Sequence, residues 1–238
     1  MSAPGSVLAA RPADSLLARG WPALAALAIL ACLWLGPLPE RARGSFAAHM
    51  VMHMGVVAVA APLLAVGLSR LVPRSVAALP PTAALFAAAL EFLIVWGWHA
   101  PALHDAARQQ APIFLAEQAS FLLAGLLVWV AAVGPAASDE PGEAARAGAR
   151  LAGTGGLLLT SMHMTLLGGL LLFAPRPLYA CAELCSPAAG LTPLEDQQLG
   201  GVLMLTIGGS AYLLGGVVLL GSILKERRGA HEAGERTN

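Results

Sequence analysis

The stretch His49-Met50-Val51-Met52-His53-Met54-Gly55-Val56-Val57-Ala58-Val59-Ala60-Ala61-Pro62-Leu63-Leu64, running on to Leu68, decides how the chain is read. No Lys, Arg, Asp or Glu interrupts residues 45–68, and about 20 such residues in a helix cross the hydrocarbon core of a bilayer. Two histidines four residues apart lie on one face of that helix. Imidazoles beside the thioethers of Met50, Met52 and Met54 form a donor set that selects copper, Cu(I) above all. The same residues could serve packing alone, with the histidines bonded to neighbouring backbone. A polar pair inside lipid is costly, which makes this one a functional candidate.

Outward from that stretch the composition agrees. Hydrophobic residues make up 57% of the 238, charged residues 12%, mean hydropathy is +0.70 and the formal net charge is zero. Such a chain is neither a soluble domain nor a nucleic-acid binder; it belongs in a lipid bilayer. Further spans are predicted at 21–38, 79–98, 112–133, 151–174 and 197–222, separated by proline and charge clusters. The first reads as a span rather than a secretory signal, because no small-residue cleavage site follows its apolar part. A loop holding Asp139, Glu140, Glu143, Arg146 and Arg150 reads as the most solvated linker. The expected fold is an all-α, polytopic bundle of about six transmembrane helices over 21–222, with an N-terminal segment 1–20 and a charged tail 223–238.

Basic residues set the orientation. Arg11, Arg19, Arg70, Arg74, Arg146, Arg150, Lys225, Arg227, Arg228 and Arg236 fall on the side of the N-terminus, and only Arg41, Arg43, Arg108 and Arg176 on the other. That bias predicts both termini in the cytoplasm, with the chain a multi-pass protein of the plasma membrane. Counted at 1.5 Å per residue, His49 then lies near the outer surface, His53, Glu91 and Glu117 roughly 10 Å down and His163 roughly 16 Å down.

These residues, with His99, Met50, Met164 and Asp196, are the candidates for an outward-opening pocket. His163 between Met162 and Met164 repeats the chemistry of 49–54. Glu91 reads equally as a neutral carboxyl bonded to backbone, a ligand or a proton relay. Glu117 fits the orienting of a histidine better than direct metal contact. His104-Asp105 reads as a helix-capping or surface pair. Cys181 and Cys185 are read as a disulfide in preference to a metal site.

The ordered set His49-x-x-x-His53, Ala61-Pro62-Leu63-Leu64, Trp98-His99-x-Pro101, Glu117 with Phe121 and Gly125, Phe173-Ala174-Pro175-Arg176-Pro177-Leu178-Tyr179, and Asp196-Gln197-Gln198-x-x-Gly201 resembles the CtaG family. These are multi-span cytochrome c oxidase assembly factors associated with bacterial oxidases of the caa type. The likeness covers about residues 45–222 and departs at Gln118, where the family pattern has histidine. It implies a factor for maturation of a haem-copper oxidase, acting where copper reaches the catalytic subunit, with an oxidase subunit and a copper chaperone as the expected partners. No nucleophile with an adjacent base and no nucleotide loop appears, so no enzyme is expected. The alternatives are a haem-binding or haem-handling protein and a copper or proton-coupled transporter with Glu91 as relay.

Overall fold

In the computed structural model, which describes residues 16–134, 143–179 and 190–236, the regular elements are helices and the described residues contain no strand. They are α1 (Leu16–Leu35), α2 (Leu38–Gly44), α3 (Phe46–Leu71), α4 (Pro73–Ala77), α5 (Ala83–Trp98), α6 (Pro101–Gln109), α7 (Ala111–Val133) and α8 (Glu143–Leu172). The last, α9, runs without a break through Pro193–Leu203, Met204–Gly209 and Ser210–Arg236. Five of these contain a stretch long and apolar enough to cross a membrane, and α5 with α6, bent by 72°, makes a sixth if the pair is one span. Leu85, Phe86, Leu93, Leu123, Leu166 and Val218 point outward, as side chains facing lipid should.

Several boundaries differ from expectation: α1 begins at Leu16, inside the expected N-terminal segment 1–20, and ends at Leu35 instead of 38. Residues 143–150, expected in a loop, form the first two turns of α8, since Glu143-Ala144-Ala145-Arg146-Ala147 are good helix formers. Residues 223–236, expected as a tail, continue α9. The third span begins at Ala83 instead of residue 79 and ends at Trp98 as expected, and a 16-residue α5 rises only roughly 24 Å. Arg70 stacks over Trp21, and Arg150 pairs with Glu226. The start of α1 therefore meets the end of α3, and the start of α8 meets α9 beyond its apolar part, as antiparallel spans require.

Small residues let backbones touch. A Cβ on Gly201 would lie 2.7 Å from the Gly168 carbonyl oxygen, and one on Gly168 2.9 Å from that of Gly201. Only glycine on both sides permits this crossing of α8 and α9.

Pro62 reshapes α3. Its ring crowds the carbonyl four residues back, and the turns over Gly55–Ala60 widen so that Ala61 N–H reaches back five residues to Val56 O. In that register the backbone donor due to Val57 O would be residue 62, which has no N–H. The freed carbonyl is taken by Trp129 Nε1 at 3.0 Å and approached by the Tyr212 hydroxyl at 3.3 Å. One proline thus ties α3 to α7 and α9, because an unpaired carbonyl in lipid costs several kcal/mol, on the order of a lost hydrogen bond in an apolar medium.

Candidate metal centre

The site is built at the end of the bundle where α3 begins. Ser45 caps α3, its Oγ accepting from Ala48 N–H at 3.1 Å and donating to Asp196 Oδ1 at 2.7 Å. Asp196 Oδ2 accepts from Phe46 N–H at 2.6 Å. Asp196 therefore anchors the helix that presents His49 and His53. Its neighbour Gln197 accepts from Leu178 N–H at 2.7 Å and donates to Leu171 O at 3.2 Å, which holds the segment carrying Tyr179. Glu195 closes a capping box with Thr192 at the start of α9 and stands apart from the cluster.

Three buried side chains meet here. His49 of α3, His104 of α6 and Glu117 of α7 each offer a ligand atom, all within 4.8 Å of one another. His49 Nε2 stands 3.3 Å from Glu117 Oε1, and the rings of His49 and His104 are 4.8 Å apart at 75°. Two donors on one ion at roughly 2 Å each are separated by roughly 3 to 4 Å, so the pair is already spaced to share one. Neither nitrogen of His49, nor His104 Nε2, nor Glu117 Oε1 has a hydrogen-bond partner, although all are inaccessible to solvent. Orphaned buried polar atoms are expensive; a shared cation would satisfy them together. The other oxygen of Glu117 accepts from Gln118 Nε2 at 3.2 Å, and Gln118 Oε1 accepts from Trp34 Nε1 at 3.2 Å. Gln118 thus steers the carboxylate.

His104 is the correction. The expected capping or surface position is instead buried, 1% exposed, because the chain turns by 72° between Trp98 and Pro101 and folds α6 across the start of α3. Arg108 Nε donates to Arg43 O at 2.8 Å and pins α6 to α2. Tyr179, which sequence reasoning used only as part of a motif, stacks on Phe46 at 4.8 Å, lies 4.3 Å from the His104 ring and donates its hydroxyl to His99 O at 3.2 Å. Burial, with the Asp105 charge adding to it, pushes the Tyr179 phenol above its usual range, so it stays a donor. A small cavity between Phe46, Arg108, Tyr179 and Asp196 has a volume of about 10 Å³, room for one water at most.

His53 and His99 lie beyond this cluster, their rings 5.6 Å apart. His163 is buried against Phe92 at 5.4 Å. His53 is within electrostatic reach of His99, His49 and His163, so the buried histidines of α3, α5 and α8 share the interior of the bundle. Glu91 is placed elsewhere. Tyr212 donates to its Oε1 at 2.6 Å and Thr160 to its Oε2 at 3.1 Å, partners from side chains of α9 and α8 and not the helix backbone. The thioethers pack: Met50 abuts Gly200, while Met54 and Met164 meet over Gly208, all fully buried. Cys181 and Cys185 lie outside the described residues.

Fold and site together define a multi-pass membrane protein with a buried cluster of imidazoles and one carboxylate at one end of its bundle. The chain belongs to the cytochrome c oxidase caa3 assembly factor family (Caa3_CtaG), whose family model it matches over residues 7–226. No curated protein and no solved structure matches it.

Proposed function

We propose that the protein holds copper as Cu(I) at His49, His104 and Glu117 and supplies it to a membrane subunit of the oxidase during assembly. The observation that carries this is the meeting of two buried imidazoles, each with a nitrogen lacking a hydrogen-bond partner, and a carboxylate from three helices within 4.8 Å. Imidazole suits copper. A single carboxylate neutralises a monovalent ion and would leave a divalent one with net charge in a low-dielectric site, which supports Cu(I) even with the thioethers used for packing. The protein does no chemistry on this cargo, and a soluble copper chaperone could load it. Loading must move α6 or the Tyr179 segment, because all three ligands are buried.

The decisive experiment expresses the oxidase with the His49→Ala form of this protein, then measures haem, copper and turnover on the purified oxidase. Full haem with missing copper and lost oxygen reduction is the expected result. Oxidase short of haem would point to haem handling, and normal copper with normal turnover would defeat delivery altogether.

The same reading places the cluster on the outer face of the bacterial plasma membrane with both termini in the cytoplasm, on the bias of basic residues. A reporter fused after Arg228 is expected to be active in the cytoplasm and one inserted near Ser186 outside. The reverse pattern would turn the cluster toward the cytoplasm and overturn loading from outside.

A further inference from the structure

We infer that His53 and His99 form a second metal station, made of imidazole alone and suited to Cu(I), one helical turn deeper than the cluster of His49, His104 and Glu117. The choice of ion rests on the copper reading above; the station itself rests on geometry.

His99 has its tautomer set by the fold. Its Nδ1 lies 2.7 Å from Val95 O in its own helix, and a carbonyl can only accept, so Nδ1 carries the proton and Nε2 is left with a lone pair. That Nε2 is buried and unpartnered. An imidazole held by a carbonyl on one nitrogen and open on the other is the usual arrangement of a metal-ligating histidine. His53 is fully buried and neither of its nitrogens has a partner. With a metal–nitrogen bond of roughly 2 Å and about 1 Å from nitrogen to ring centre, two imidazoles on opposite sides of one ion have centres about 6 Å apart. The 5.6 Å between the rings of His53 and His99 is close to that open arrangement, whereas the 4.8 Å between His49 and His104 is closer, as a third ligand at Glu117 demands. Phe121, with its ring 3.8 Å from that of His53, gives this station an apolar wall in place of a carboxylate. Packing alone leaves three buried nitrogens on two neighbouring rings without a partner.

The two stations share α3, since four residues separate His49 from His53, a rise of roughly 6 Å. An ion can pass from the mixed site to the imidazole pair without crossing bare hydrocarbon. His163, both of whose ring nitrogens are also unpartnered, lies next along, behind Phe92.

The test is Cu(I) stoichiometry on the full-length protein in detergent, loaded without oxygen after free thiols are alkylated, and read by competition with a chromogenic Cu(I) chelator. Two equivalents are expected for the wild type and one each for His104→Ala and His53→Gln. X-ray absorption of loaded His104→Ala should count two nitrogen neighbours. Should His53→Gln not accumulate, His99→Gln serves in its place, and the wild-type count stands by itself. One equivalent in the wild type, kept by His53→Gln and lost by His104→Ala, would overturn the second station and leave the proposed function standing. No bound copper in the wild type would overturn both.

Discussion

Replacing His104 by alanine lowers the affinity of the outer cluster for Cu(I) by about a hundredfold or more, with a matching loss of copper from the oxidase the protein serves. Loss of an outer-shell partner already costs a metal site roughly 10- to 100-fold, and His104 supplies one of three donors. The remaining pair, His49 and Glu117 at 3.3 Å, can collapse into an ordinary imidazole–carboxylate contact, which removes the incentive to bind an ion. The measurement is chelator competition on purified protein, with helical content and thermal midpoint recorded beside it. His104→Asn separates ligation from packing, because it keeps a polar group there but lacks an imidazole. Unchanged affinity in both variants would show that α6 only covers the site.

Asp196→Ala is expected to be the most damaging single substitution for stability around the site. Its carboxylate accepts from Ser45 Oγ at 2.7 Å and Phe46 N–H at 2.6 Å, both in buried surroundings. Hydrogen bonds to a charged group contribute about 1.5–3 kcal/mol each, and the truncation also strands the donors. A loss of about 3 kcal/mol follows, against about 1 kcal/mol for removing the Ser45 cap alone. Because these bonds tether the first turn of α3, copper affinity should fall with stability. Thermal unfolding in detergent decides it: a midpoint for Asp196→Ala equal to that of Ser45→Ala would show that the anchor is idle. Asp196→Asn, which keeps one acceptor, should fall between wild type and alanine.

Other positions divide in the same way between what one residue carries and what its neighbours supply. Glu117 was legible as an orienting carboxylate and stands against His49, yet its ligand distance to His104 depends on α6. Glu91 was legible as an unusual carboxyl in lipid; its partner Tyr212 had no signal of its own, since the direct bond between them exists only once α9 docks against α5. Met50 and Met164 carried a donor chemistry in the sequence, and their side chains also pack against glycines of α9.

The sequence by itself determined that this is an all-α membrane protein, roughly where its spans lie, and that His49 and His53 share a face. Those are local quantities: transfer free energy sums residue by residue, and helical spacing follows from 3.6 residues per turn. The tertiary structure alone decided which histidine joins His49. Pro101 marks a break after Trp98 but carries no angle; the angle comes from packing, with Arg108 bonded to the carbonyl of Arg43 and Tyr179 laid against His104. A ligand set is a relation among side chains on separate helices, fixed only when the helices dock and bring α6 back over the start of α3.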